Sequence, residues 1–154
     1  MKRIALFPGS FDPFTKGHQD IVLRGLNLFD EIVIGIGRNA NKKRYFSLDL
    51  MKHHIEKTFA NEPNVRVITY DDLTARIARE VGARFLLRGL RNTTDFEYEN
   101  GISQVNRYVY EEIETVFLIT SPQLAPISSS IIRDLHRYGQ RVDEFLPYDL
   151  TEEL

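Results

Sequence analysis

The stretch Phe7-Pro8-Gly9-Ser10-Phe11-Asp12-Pro13-Phe14-Thr15-Lys16-Gly17-His18 decides how the rest of this chain is read. Before it, Ile4-Ala-Leu-Phe7 is an apolar run of the length of a buried strand. After it, Ile21-Val-Leu-Arg-Gly-Leu-Asn-Leu-Phe29 carries apolar residues at the spacing of a helix packed on a sheet. Between the two, glycine and prolines force a wide turn and let backbone approach a ligand closely. Ser10 stands where the strand ends, and Gly17-His18 where the helix begins. A helix N-terminus offers unpaired N–H groups and partial positive charge, which suits phosphate. A histidine there has its pKa pushed down, favouring a neutral imidazole that donates one hydrogen bond. An isolated Gly-x-His would read as a structural turn with a capping histidine. Two hydroxyls, several hinges and a histidine in one βα turn point instead to a phosphate site.

Working outward, strand and helix patterns alternate. Glu31–Gly37 reads as a second strand, rich in β-branched residues, and Ser47 as the N-cap of a helix from Leu48 to Phe59. Val65–Thr69 is a third strand, followed by a helix capped by Asp71 or Asp72 and stopped by Gly82. Arg84–Arg88 is a fourth strand, Asp95–Glu112 a long helix with Gly101 as a weak point, and Glu114–Ile119 a fifth strand. Ser128–Tyr138 forms a final helix stopped by Gly139, and the apolar Phe145-Leu-Pro147 packs back on the domain. Five strands joined by helical crossovers predict an α/β, doubly wound, Rossmann-like domain with a five-stranded parallel sheet, spanning 1–154 as one unit. Such sheets bind ligands at the carboxyl ends of their strands, where strand order reverses.

Composition narrows the function. Of 154 residues, 42% are apolar and 27% charged, the balance of a soluble globule. Lys+Arg 20 against Asp+Glu 22 leaves a formal net charge of −2, which argues against nucleic acid or anionic membrane as a partner. The absence of cysteine excludes disulfides, thiol catalysis and Cys-ligated zinc, and agrees with a cytoplasmic location. Ile4–Phe7 is too short for the apolar region of a signal peptide, and no segment approaches membrane-spanning length.

Three further polar stretches follow strands. Arg88-Gly-Leu-Arg91 places two guanidinium forks, suited to phosphate, around a flexible glycine. Ile127-Ser-Ser-Ser-Ile-Ile-Arg133 opens a helix with three hydroxyls, more than capping requires. Asn41-Lys-Lys-Arg44 is a basic loop from which a mobile lysine would reach a phosphate, or else a merely solvated charge run. His53, His54 and His136 read as packing, capping or surface residues. No Walker loop, dinucleotide fingerprint or nucleophile elbow is present. The set describes phosphoryl-type chemistry driven by positioning and charge, without a covalent nucleophile.

The chain resembles the phosphopantetheine adenylyltransferases of the nucleotidyltransferase superfamily, which a Thr/His-x-Gly-His turn marks. The likeness runs in register over essentially the whole chain. It takes in Pro8–Pro13, Thr15–His18, Lys42-Lys43, Asp72-Leu73, Arg88–Arg91, Asp95–Glu99, Asn106-Arg107, Ile127–Ser130 and Phe145–Pro147. It implies transfer of AMP from ATP to 4′-phosphopantetheine, giving dephospho-coenzyme A and pyrophosphate, with Mg2+ assisting. Carried over by position, His18, Lys42 and Arg91 would be catalytic, and no residue is assigned as a metal ligand. Ser10, Lys42, Thr74 and Arg88 would meet phosphopantetheine. Ser10, Phe11, His18, Gly89, Leu90, Arg91 and Glu99 would line the ATP site, with Leu124, Ala125, Pro126, Ile127, Ser128, Ser129 and Ser130. The resemblance also implies a homohexamer and coenzyme A as a feedback ligand. The sequence departs from the family in having Ser10 where threonine is frequent. It also has Leu124-Ala125-Pro126 in place of an aromatic-Ser-Phe run that approaches the adenine. A sibling such as nicotinate-mononucleotide adenylyltransferase would share the histidine turn but not Arg88–Arg91 with Asp95–Glu99. A noncatalytic nucleotide-binding regulator would have no need of His18.

Overall fold

In the computed structural model, residues 1–152 are described. Five strands, β1 (Ile4–Gly9), β2 (Glu31–Gly37), β3 (Val65–Tyr70), β4 (Phe85–Leu90) and β5 (Glu114–Ile119), pair in parallel in the order β3-β2-β1-β4-β5. Between them run α1 (Lys16–Gly25), α2 (Leu48–Thr58), α3 (Thr74–Glu80) and α4 (Thr93–Val109). The helix α5 (Ser129–Arg137) and a 3-10 turn at Asp143–Phe145 follow.

Strand period 2 sorts the apolar side chains onto two faces. Ala5, Phe7, Ile32, Ile34, Ile36 and Leu87 pack under α1 and α2, against Ile21, Val22, Met51 and Ile55. Their sequence neighbours Leu6, Val33 and Leu86 point the other way, against Ala75, Ile77 and Ala78 of α3 and the end of α4. Both faces of the central strands are covered, which is why those strands read as continuous apolar runs. A smaller cluster, Ile132, Val142 and Leu146, seats α5 and the tail, as Phe145–Pro147 suggested.

Several boundaries differ from the sequence reading. The first helix begins at Lys16, because Thr15 caps it, and ends at Gly25. Neither Asp71 nor Asp72 caps α3: the N-cap is Leu73, and Asp72 instead accepts from Leu73 N–H at 2.7 Å and from Arg76 at 2.7 Å. The fourth strand continues through Arg88 and Gly89 to Leu90, so Arg88 lies within it and only Arg91 beyond it. Gly101 does not interrupt α4, which stops at Val109 where Tyr110 turns extended. Ser47 and Ser128 cap α2 and α5 through their side chains.

Candidate active site

Strand order reverses between β1 and β4, and the turn from β1 into α1 opens there. Thr15 accepts from His18 N–H through its hydroxyl at 3.3 Å, while His18 Nδ1 accepts from Thr15 N–H at 3.0 Å. This reciprocal cap uses histidine where glutamate or glutamine is usual. It also fixes the tautomer: Nδ1 is an acceptor, so the proton resides on Nε2 and Nε2–H is the ring's remaining donor. The ring lies against Phe11 (centroids 4.9 Å apart), Phe14 (5.3 Å) and Phe7 (6.1 Å). Burial, then the charges of Arg88 and Arg91, push the His18 pKa down to about 3. The imidazole is therefore a neutral hydrogen-bond donor at physiological pH.

His18 lines a cavity of about 360 Å³ at this strand edge. Arg91, Ile127 and the three serines line it as well. Each serine has a distinct partner. Ser128 caps Ile131 N–H at 3.2 Å, Ser129 donates to Pro13 carbonyl at 2.8 Å, and Ser130 accepts from Arg133 at 3.2 Å. Ser129 thus ties α5 to the turn, while the start of α5 lines the cavity. Gly89 lines it too. A Cβ there would stand 3.1 Å from Ile21, so the missing side chain lets α1 close onto β4.

The two arginines are held by carboxylates. Arg88 grips Glu99 with both Nε (2.9 Å) and Nη2 (2.5 Å) and donates Nη1 to Pro8 carbonyl. Arg91 contacts Asp95 through its backbone N–H (2.9 Å), Nε (3.0 Å) and Nη2 (3.3 Å). Burial alone would raise the Asp95 carboxyl. The bonds from Arg91 and the charges of Arg91 and Arg88 hold it below the usual range. Bidentate pairing fixes the orientation of the planar forks at the cavity.

A second cavity of about 400 Å³ adjoins the first and shares Pro8, Gly9, Ser10, Arg88 and Glu99 with it. Thr74 belongs to this one, with its hydroxyl 3.0 Å from that of Tyr70. Burial raises the Tyr70 pKa, keeping the phenol neutral. The residues assigned by position therefore sort into two groups that meet at Ser10 and Arg88. Glu99 faces both cavities rather than one.

Some of the sequence assignments fall elsewhere. Lys42 is exposed and lines neither cavity. It borders a third, of about 570 Å³, together with Ser10, Arg44, Arg133 and Arg137. Leu90, Ala125 and Pro126 line none of the three, whereas Leu124 lines the first. Arg44 is not an interchangeable member of a solvated basic run: its side chain is 15% exposed and donates to Ser10 and Phe11 carbonyls. His54 is wholly buried in a packing role, and the exposed His136 bonds the Tyr45 hydroxyl at 2.7 Å. The sequence reading did not single out Arg133 or Thr120, which also line the first cavity. The i,i+4 spacing of Arg91 and Asp95 would have revealed that pair. No local signal links Arg88 to Glu99.

A parallel sheet whose switch point carries a histidine-capped βα turn, facing an arginine pair and a serine-opened helix, defines a nucleotidyltransferase. The cytidylyltransferase-like family model matches residues 6–135. A phosphopantetheine adenylyltransferase of Cytophaga hutchinsonii is 60% identical over 97% of this chain and 100% of its own length. One of Flavobacterium johnsoniae is 54% identical over 94% of this chain and 95% of its own. The chain belongs to the phosphopantetheine adenylyltransferase family. Among solved structures, a bifunctional NMN adenylyltransferase/ADP ribose pyrophosphatase from Francisella tularensis, complexed with AMP and a manganese ion, superposes with a TM-score of 0.71. That likeness covers 97% of this chain but 45% of the other, at 15% identity, and so speaks for the fold.

Proposed function

We propose that this enzyme transfers the adenylyl group of ATP to 4′-phosphopantetheine, releasing pyrophosphate and forming dephospho-coenzyme A. The observation that carries the site assignment is the shared wall: two cavities of about 360 and 400 Å³ meet at Gly9-Ser10 and Arg88. ATP would occupy the first and the pantetheine phosphate would enter through the second, past Thr74 and Arg88. A phosphate oxygen of phosphopantetheine attacks the α-phosphorus; the bond from that phosphorus to the bridging oxygen breaks, and pyrophosphate leaves with the electron pair. Several groups act on this step. His18 Nε2–H donates to an α-phosphate oxygen, Arg91 and the start of α5 hold the departing phosphates, and Arg88 orients the attacking one. Pre-organised donors of this kind stabilise the transition state because they need no rearrangement when charge develops. Lys42 would act by moving in from its loop as that charge forms.

Mg2+ would enter on the triphosphate. Among the described residues no group of three His, Cys, Asp or Glu converges. Asp95 and Glu99, at the first cavity, are each committed to an arginine. This donor set does not fit a metal held by protein side chains; hydrated Mg2+ is commonly carried by substrate phosphates instead. A homo-oligomer, six copies in the family's usual assembly, is supported by the exposed Tyr98, Ile102, Val105 and Tyr108 along α4. Feedback by coenzyme A would follow from its sharing both substrate halves. The reading places one nucleotidyltransferase domain in the cytoplasm, supported by the absence of cysteine and of any described helix long and apolar enough to cross a membrane.

Pyrophosphate release from ATP, with phosphopantetheine or nicotinate mononucleotide as acceptor, tests the assignment. Release with the first alone is expected. Release with nicotinate mononucleotide alone would move the enzyme to the sibling class.

A further inference from the structure

The turn from Ser10 to Pro13 exposes successive carbonyls, and Phe11 within it has φ 45°, a left-handed conformation that non-glycine residues avoid. Glycine would relieve that strain, yet the Phe11 ring is buried, and it packs at 82° to the His18 ring with centroids 4.9 Å apart. The position needs the side chain, so something else must hold the backbone.

Arg44 does so. Its Nη1 donates to Ser10 carbonyl at 2.5 Å, its Nη2 to Phe11 carbonyl at 3.0 Å, and its Nε to Phe46 carbonyl at 3.0 Å. In return, the Asp12 carboxylate accepts from Tyr45 N–H at 2.9 Å and from Phe46 N–H at 2.8 Å. Each segment thus grips the other's backbone with its side chain. From the far side, Arg133 donates to Asp12 carbonyl at 2.7 Å. The loop carrying Lys42 is therefore pinned to the turn carrying Ser10 at the residue where α2's approach begins.

Resting on the adenylyl-transfer reading, we propose that Arg44 is a positioning residue for the reaction: by clamping the Ser10 and Phe11 carbonyls it fixes the Phe11 ring, and through it the direction of His18 Nε2–H. The three bonds radiate in the plane of one guanidinium, a geometry an ammonium cannot reproduce. Arg91, held by Asp95, takes no part in this clasp, so the loss of the clasp falls more on turnover than on the hold on ATP.

The test uses Arg44→Met and Arg44→Lys in the full chain, with thermal melts to verify folding. Misplacing a catalytic group by about an ångström costs up to about 100-fold, so Arg44→Met should lower kcat by about 10- to 100-fold while KM for ATP and phosphopantetheine changes far less. Arg44→Lys should recover only part of the loss. In a His18→Ala background, Arg44→Met should have little further effect, because the residues act in series. The His18 Cε1–H resonance, assigned by its disappearance in His18→Ala, should move in both Arg44 variants as the Phe11 ring current shifts. Should Arg44→Met fail to fold, Arg44→Lys carries the same comparisons. An unmoved His18 resonance, or an equal loss of kcat with and without His18, overturns the proposal. If the wild-type enzyme releases no pyrophosphate with phosphopantetheine, the functional reading falls instead, and the resonance alone decides whether Arg44 sets the histidine.

Discussion

Replacing His18 with glutamine separates the two jobs of this side chain. Nδ1 accepts the Thr15 N–H at 3.0 Å, and glutamine at the third position of a helix accepts the same bond through its amide oxygen. The variant keeps the start of α1. It exchanges the ring Nε2–H for an amide N–H that no aromatic cage aims, and it loses the ring's contacts with Phe11 and Phe14. Two aromatic pairs at about 0.5–1.5 kcal/mol each, with about 2–4 °C per kcal/mol in a chain of this size, lower Tm by roughly 2–12 °C. Losing one pre-organised donor to a developing anion costs about 100- to 1000-fold in kcat, or about 3–4 kcal/mol. KM for ATP should change much less, since Arg91 and the start of α5 remain. The wild-type pKa of about 3 keeps the imidazole neutral at ordinary assay pH. Steady-state pyrophosphate release at saturating substrates, across about pH 6 to 9, should therefore give a constant ratio of wild-type to variant kcat. Turnover within a few-fold of wild type would reduce His18 to a helix cap. A ratio that collapses towards pH 6 would show that the ring is charged at rest.

The remaining predictions divide the site. Arg91 lines only the first cavity, so Arg91→Lys should raise KM for ATP and leave phosphopantetheine little affected; Arg88, on the shared wall, should affect both when changed to lysine. Separate substrate titrations decide, and a purely phosphopantetheine effect of Arg88→Lys would place that fork in the second cavity alone. Lys42→Met should lower kcat with modest change in KM, and Lys43→Met should not; equal small losses would leave Lys42 a solvated side chain. His54 is buried with both ring nitrogens unpartnered and stacks on Tyr148 with centroids 4.6 Å apart. Burial first, then the charge of His53, lowers its pKa against the pull of Glu152 and Asp149. The unfolded chain then takes up a proton below about pH 6.5 that the native state refuses, so stability is full above that pH and declines as pH falls. His54→Leu should flatten the acid limb of a Tm–pH curve, and an unchanged slope would clear His54 of that role.

The sheet was legible because its central strands are buried on both faces and stand out as short apolar runs such as Glu31–Gly37, while the half-buried edge strand Glu114–Ile119 is marked by its β-branched residues. The end of β4 was not. Gly89 reads as a breaker, yet its missing Cβ is what lets Ile21 pack there, a long-range reason invisible in the local pattern. The start of α1 was read at Gly17-His18, one residue from Lys16 where it begins; the capping box completed by histidine was the part that stayed hidden. The cavity-lining residues announced themselves by type, as hydroxyls, arginines and a histidine after strands. Their supports did not: Glu99 reaches Arg88 across a turn, and Arg44 holds the Ser10 turn from a distant loop. A guanidinium bound to backbone carbonyls has no sequence partner to pair with by charge, so it looks the same as a solvated one.

The most direct measurement follows the α-phosphorus. With ATP labelled at that atom and 4′-phosphopantetheine as acceptor, the label should appear in dephospho-coenzyme A, with an equal amount of unlabelled pyrophosphate and none without acceptor. Label recovered in ADP, or in AMP formed without phosphopantetheine, would contradict adenylyl transfer at this site.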